Sequence, residues 1–456
     1  MLKSCLKIFF TFTLTFTFLA ITACLPAYVF AAGFNAAQKP ASLTSLNLIQ
    51  AYNLAVKHDH AFRASVYGKK ASDDIAWEGL SVLLPRIDLS FSYSRYDFVN
   101  PPPYYYDYDA RNTSVNLTQP IFNLRRFFLY KQYKTRSSIG NARFESQKQN
   151  LILTVAQTYL NVLTSKDYIK ALKSQKKAVF RQLKQAKKLY NAGAGTITDV
   201  YSARAKYYSV LSQLVGAKNA LNNAYFKFKN LTGSADRNLA GFKSSIPFFV
   251  PRPSNVKYWV KVGEERNPKL MYYRDNRRYY SDAEIKNISA HFPTLSFVAG
   301  YSATNTQEYI QTPPLKYYNI GIQLSFPLFN GGYGYAKSFK DANLKLRAQQ
   351  KYLEELDKNA RKIKQSYSDI TGSIVKIKML QLALKSARIS LKGNELGFKS
   401  GIATETDVLD AVQAFYDAKV KLLKAKYEYA LDILNFYFNV GVLSTYDLEK
   451  INGWLK

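Results

Sequence analysis

The segment Tyr190–Val200, YNAGAGTITDV, recurs 208 residues later as Phe398–Val408, FKSGIATETDV. The same separation relates Pro85 to Pro293, so the repeat extends well beyond these two segments. A repeat of this length indicates two structural halves rather than a solenoid of short units. Each half is therefore expected to contribute one copy of every element around a common axis. We call residues 190–200 the first tip and residues 398–408 the second tip.

Both halves follow one plan, in which a helical segment precedes a strand pair, a long helix, a turn and a second long helix. Proline-rich stretches separate and interrupt these elements, as is typical of linkers and loops. The predicted parts are a first structural repeat at 32–235 with a strand pair at about 86–120, a linker at 236–255, a second structural repeat at 256–443 with a strand pair at about 294–327, and a C-terminal tail at 444–456.

The strand prediction is based on alternation of apolar and polar residues. Ile87–Ser94 alternates without an error, Thr113–Gln119 follows the pattern more weakly, and Thr294–Tyr301 and Tyr318–Phe326 follow a similar pattern in the second half. This period is that of a strand with one apolar and one polar face. A soluble sandwich would show the same alternation. Four such strands of about ten residues, set among very long helices, instead favour tilted membrane-spanning strands.

Long helices make up most of the predicted structure. From Asn123 to Leu189 there is no proline and a single glycine, Gly140, which predicts a helix about 100 Å long. An earlier helical segment, 46–83, is expected to break near Gly68. Apolar residues at heptad spacing predict coiled-coil packing of the helices that follow the tips. In the first half these residues are Val200, Tyr207, Leu214, Leu221 and Phe228.

Residues 1–31 have the pattern of a secretory signal peptide, with Lys3 and Lys7 before an uncharged apolar run and small residues at the end. A competing interpretation takes Ile21–Cys24 as a lipoprotein cleavage box with Cys24 as the lipidated residue. Both interpretations predict export. Beyond this leader no segment has the roughly 20 consecutive apolar residues that a membrane-spanning helix needs.

The chain carries a formal net charge of +32. Such a balance is common in proteins that bind nucleic acid, but an exported chain rarely meets nucleic acid, and the basic residues are spread along the whole length. We therefore predict no nucleic-acid partner. Anionic lipid surfaces, an acidic medium or a general lysine bias of the source remain as explanations of the charge.

Candidates for catalysis are poor. The histidines are His58, His60 and His291, and none has the spacing of a catalytic triad or a metal site. Neighbours at i and i+2 on a helix point apart, which argues against a His58–His60 metal pair. We predict no enzyme activity, no cofactor and no metal site.

The tips are predicted turns between helices, because Gly193 and Gly401 allow the backbone to reverse. A threonine three residues before an aspartate then opens each following helix as a capping box, with aspartate in place of the commoner glutamate or glutamine. An acidic residue in a first helical turn is also favoured by the helix dipole. The capping pairs are Thr196 with Asp199 and Thr404 with Asp407.

Taken together, these motifs resemble the outer membrane efflux proteins of the TolC type. The specific marks are Leu84–Leu89 entering the first strand, Gln119–Asn123 and Phe326–Gly332 leaving the strand pairs, and the two tips. The resemblance implies a mainly α chain with a transmembrane β part. Three chains would form a 12-stranded outer-membrane β-barrel, four strands from each, continuous with a long α-helical coiled-coil barrel in the periplasm.

The resemblance also implies roles for the tips. Gly193, Thr196, Gly401 and Thr404 would contact a periplasmic adaptor, and Asp407 and Asp410 would line a pore with rings of carboxylates. In some family members a Tyr and an Arg of the second tip bond to the first-tip aspartate, which here is Asp199. The matching residues are Phe398 and Ala403, so a closed mouth would be held in another way.

We therefore expect a non-enzymatic exit duct in the cell outer membrane that extends into the periplasm. Its expected partners are two further copies of itself as a homotrimer, a periplasmic adaptor, an inner-membrane transporter and outer-membrane lipid. The cargo stays open among drugs, metal ions and secreted proteins. The alternatives are a structural or adhesive coiled-coil protein of the envelope and a periplasmic binding or adaptor protein.

Overall fold

The computed structural model describes residues 45–99, 107–243, 246–306 and 315–455. The predicted leader, with Cys5 and Cys24, lies outside the described residues, as do parts of both strand-pair loops. The structure is mainly helical with one antiparallel sheet, as the sequence predicted. Among the described residues, no helix combines the length and the apolar character needed to cross a bilayer.

The elements of the first half follow the predicted order. The helical segment before the strands is broken at Asp59, whose carboxylate caps the next helix by accepting from the Ala61 and Phe62 amides. The expected break near Gly68 is wrong, because Gly68 lies inside that helix. The elements are α1 (Leu48–His58), α2 (His60–Ser81), β1 (Arg86–Tyr96), β2 (Tyr108–Phe122), α3 (Leu124–Asn191) and α4 (Ile197–Thr232).

The second half repeats this plan. A short 3₁₀ turn, Ser289–His291, leads into its strands, and a further helix lies within the predicted C-terminal tail, 444–456. The elements are α5 (Val256–Arg266), α6 (Pro268–Ile288), β3 (Thr294–Thr306), β4 (Leu315–Ser325), α7 (Tyr333–Lys399), α8 (Glu405–Val440) and α9 (Thr445–Asn452).

The first long helix, α3, begins at a side-chain cap and contains a glycine that packing requires. The 68-residue helix α3 starts where the Asn123 side chain accepts from the Arg126 amide at 2.9 Å. Gly140 of α3 faces Ser72 of α2, and a Cβ at this position would overlap the serine side chain. Glycine is therefore the residue that lets α2 and α3 approach, which offsets its poor helix propensity.

The heptad positions of α4 lie toward the interior. Val200, Leu214 and Phe228 are buried, and Tyr207 and Leu221 pack at the margins of the apolar clusters. The largest cluster gathers the middle of α3, the end of α4, the middle of α7 and the end of α8, with α1 and α9. A separate cluster lies near the tips.

The four strands form one sheet in the order β1-β2-β3-β4, with every neighbouring pair antiparallel. The link between the halves is therefore the β2–β3 pair, where Val115 lies opposite Tyr301. A register shift between Pro120 and Phe122 marks a bulge where β2 leaves the sheet. Within the described chain, the outer edges of β1 and β4 pair with no other strand.

Tyr159 of α3 ties this helix to the linker between the halves. Its ring is fully buried, and its hydroxyl lies 2.9 Å from the carbonyl oxygens of both Leu46 and Ala240. Burial raises the pKa of this phenol well above its ordinary value, so it stays protonated and able to donate.

Replacing Tyr159 with phenylalanine removes the donor and leaves a buried carbonyl oxygen without its partner. We expect the free energy of unfolding to fall by about 1–2 kcal/mol, measured by urea unfolding of the detergent-solubilised protein. Tyr201→Phe is the control, since its side chain is 57% exposed. Equal midpoints for Tyr159→Phe and the unsubstituted chain would contradict this role.

Candidate functional site

Two regions of the fold carry functional features, the sheet and the tips. In the sheet, cross-strand partners place the apolar residues on one side. Leu89 lies opposite Val115, Val115 opposite Tyr301, and Tyr301 opposite Tyr318. We call this side the apolar face. Its members on the edge strands are Ile87, Leu89, Phe91, Ile320, Ile322 and Leu324, and all are between 62% and 72% exposed in the single chain.

The opposite side, the polar face, is lined by hydroxyl and amide groups that bond to one another. The hydroxyls of Ser90 and Ser114 lie 2.7 Å apart. The amide oxygen of Asn112 accepts from Ser302 at 3.3 Å and from Thr304 at 3.2 Å. A sheet that is apolar on one side and hydrated on the other matches a wall between lipid and water.

The tips have the turn geometry that the sequence predicted. Gly193 follows α3 with φ of +72°, and Gly401 follows α7 with φ of +75°. This left-handed conformation is costly for any residue with a side chain. Both glycines also have open space around the position of a Cβ. Backbone conformation alone therefore accounts for glycine at both tips.

Both predicted capping boxes are present. At the second tip, the Asp407 carboxylate accepts from the Thr404 amide at 2.8 Å and from its hydroxyl at 2.6 Å, while the Asp407 amide donates to that hydroxyl. Thr196 and Asp199 make the same contacts at the first tip. The hydrogen bonds from Thr404 lower the pKa of Asp407, so this carboxylate keeps its charge well into the acidic range.

Asp410 lies one turn beyond Asp407 on α8 and is exposed. Its carboxylate forms an ion pair with Lys206 of α4, at 3.2 Å between Nζ and Oδ1. The Lys206 ammonium also donates to Gln413 at 3.4 Å. These contacts connect the helix after the first tip to the helix after the second. A groove of about 390 Å³ runs between them, lined by Ser202, Ala205, Lys206, Ser209, Thr406 and Leu409.

Phe398, one of the two departures from the family pattern, packs against the apolar cluster near the tips rather than meeting a polar partner. Asp199 makes its hydrogen bonds within its own capping box. The structure thus brings Asp199, Asp407 and Asp410 to the same end of the helices, each with a local partner.

The structure also reveals a candidate functional residue that the spacing of the aspartates did not predict. Glu405, the first residue of α8, is 4% exposed. Neither of its carboxylate oxygens has a hydrogen-bond partner among the described residues. Burial, together with the negative charge of Asp199, raises the pKa of Glu405 to about 7.

The two histidines at the α1–α2 junction are closer than helical spacing predicted. The chain breaks at Asp59 between them, so the argument from one continuous helix is wrong, and the rings of His58 and His60 lie 5.6 Å apart. Among the described residues, no group of three or more His, Cys, Asp or Glu side chains is arranged to hold a metal ion.

Comparison with known proteins settles the family. A family profile described as "Outer membrane efflux protein" matches residues 51–234 and 265–441. The chain belongs to this family. Outer membrane protein TolC of Escherichia coli strain K12 is 30% identical over 421 residues, which cover 90% of this chain and 85% of TolC. Membership places the chain in the outer membrane, with its helices extending into the periplasm.

Two further relatives are similar over most of their length. The alkaline protease secretion protein AprF of Pseudomonas aeruginosa is 26% identical over 427 residues, covering 89% of this chain and 87% of AprF. The crystal structure of the Campylobacter jejuni CmeC outer membrane channel matches with a TM-score of 0.77 at 18% identity, covering 92% of this chain and 95% of that one. The family description names efflux and the name of AprF names secretion, and this chain is an outer-membrane exit duct of that kind.

The apolar face gives a direct test of membrane insertion. Phe91→Arg places a cation at the middle of β1 on that face, and we expect it to destabilise the membrane-inserted state by about 2–4 kcal/mol. Ser92→Arg, one residue on and on the polar face, is the matched control and should change this stability little. Urea unfolding in lipid vesicles measures both. Equal losses for the two variants would contradict the assignment of the faces.

Proposed function

We propose that three copies of this chain assemble into one water-filled duct, with four strands from each copy closing a 12-stranded barrel. The sheet carries this proposal, because its apolar face is exposed and its edge strands β1 and β4 are unpaired within the described chain. In lipid each unpaired backbone group costs several kcal/mol. Closure with further copies satisfies these groups, and the polar face then lines the lumen.

The duct would be a passive part of a tripartite efflux pump or a type I secretion system. A periplasmic adaptor contacting the tips, around Gly193, Thr196, Gly401 and Thr404, would join it to an inner-membrane transporter that supplies the energy. The polar face supports a conduit rather than an enzyme, since its Ser, Thr and Asn side chains bond to one another and offer no activated nucleophile.

Reconstitution tests this proposal. The full-length chain should crosslink to a trimer in native membranes, and after purification it should conduct ions in planar bilayers. A trimer without conductance would favour a structural or adhesive coiled-coil protein of the envelope. Recovery of the chain as a monomer in the periplasmic soluble fraction would favour a binding or adaptor protein. Either outcome would overturn the duct.

At the periplasmic mouth, Asp410 of three copies would form a ring of carboxylates that attracts cations. The Lys206 ammonium lies 3.2 Å from each carboxylate and neutralises part of its charge. The neutralisation is partial because both side chains are exposed, and water screens the two charges. Asp407 would add a second ring one turn away. Asp199 would lie at the rim, beside the start of α8.

Block of single-channel current by a trivalent cation tests the Asp410 ring. Asp410→Asn should raise the half-blocking concentration about tenfold or more, because the ring loses its charge. Lys206→Gln should lower that concentration, since it frees the same carboxylate from its counter-charge. The two variants act in opposite directions. Unchanged block in both would remove Asp410 from the pore.

A further inference from the structure

The start of α8 combines an apolar stripe with one carboxylate. Glu405, Val408, Leu409 and Val412 have the spacing i, i+3, i+4 and i+7, which places them on a single face of the helix. The three apolar residues belong to the cluster that also contains Ala186 of α3 and Val200 of α4. Glu405 thus occupies the first position of the stripe by which the second tip packs against the first.

The internal repeat shows that the fold does not require a carboxylate at this position. Residue 197, 208 positions earlier, is Ile197, the first residue of α4, and it follows Thr196 as Glu405 follows Thr404. Ile197 is 46% exposed, whereas Glu405 is 4% exposed. The chain therefore buries an acid at one tip and exposes an aliphatic side chain at the matching position of the other.

Within the described part of the chain, no cation pairs with the buried carboxylate of Glu405. A first-turn acid is favoured by the helix dipole, yet burial outweighs this effect, and the charge of Asp199 adds to the cost. Lys206 is paired with Asp410. Among the titratable groups near the tips, Asp199 is the one whose charge acts on Glu405. The titratable groups on the packed elements are Lys187, Lys188 and Tyr190 of α3, Asp199, Tyr201, Arg204 and Lys206 of α4, and Glu395 and Lys399 of α7.

We propose that Glu405 is a gating residue, and that its neutral form holds the second tip against the first while its charged form drives them apart. This inference builds on the proposed duct. A protonated Glu405 places little charge in the apolar contact. Loss of the proton leaves an unpaired negative charge, buried beside Asp199, and separation of α8 from α4 returns that charge to water.

The pH range follows from two protonation equilibria. In separated tips an exposed glutamate has an ordinary pKa of 4.5, and in packed tips the pKa is about 7. The packed arrangement binds the proton of Glu405 more tightly. The stability of packed tips relative to separated tips is therefore greatest below pH 4.5, falls as the pH rises, and levels off above pH 7. From pH 5 to 7 the ratio of packed to separated tips should fall by about 40-fold.

Single-channel recording of the full-length protein in planar bilayers, from pH 5 to 8, tests this gate. The open fraction should rise with pH and reach a plateau above pH 7. Glu405→Gln, which cannot ionise, and Glu405→Ile, which copies the first tip, should both hold the low open fraction across the whole range. Glu395→Gln, an exposed acid near the same tip, is the control and should keep the unsubstituted profile. A pH profile that persists in Glu405→Gln would overturn the proposal.

Spin labels on cysteines introduced at Ser202 and Thr406 measure tip separation without requiring conduction. Both residues line the groove between α4 and α8. The unsubstituted chain, labelled in parallel, reports any signal from its own Cys24. The label distance should lengthen between pH 5 and 7.5, and it should stay constant in Glu405→Gln. A pH-independent distance in the labelled chain that keeps Glu405 would overturn the gate, whereas absence of conductance at every pH would instead count against the duct.

Discussion

Backbone hydrogen bonding in a solvent that offers no partners is the constraint on which this fold depends. A strand edge in lipid has no water to bond with, so a sheet that presents an apolar face to lipid must close on itself. One chain supplies a sheet with β1 and β4 at its edges, and the register of its strands sets the two faces. Assembly is thus part of the fold, and the long helices continue the wall that the strands begin.

At the far end of the helices the constraint is different, because water is present and backbone groups can be satisfied locally. Each tip turns at a glycine and restarts with a threonine–aspartate capping box. The caps fix where α4 and α8 begin, and thereby place Asp410 near Lys206 and Glu405 inside the contact. The same glycine turn and capping box occur at both tips, but the charged groups around them differ.

The strands and the helix caps could be predicted from the sequence, because residue periodicity and local chemistry indicate the same structure there. Alternation predicted the strands, and threonine–aspartate spacing predicted the caps. The helix break was misplaced because Gly68 is a weak helix former, whereas Asp59 ends α1 by capping α2, a choice that depends on packing. Glu405 was missed because its burial depends on contacts between distant parts of the chain, although its position three residues before Val408 on one face of α8 was a usable signal.

The linker between the repeats lies against both ends of the described chain. Leu239 forms a bridge with Leu46, Phe242 forms one with Leu455, and the Leu48 amide donates to the side chain of Asn452 at 3.0 Å. The start and the finish of the described chain therefore lie side by side, next to the linker. A rearranged gene that joins residue 455 to residue 45 and starts instead within the linker would therefore preserve every described helix and strand.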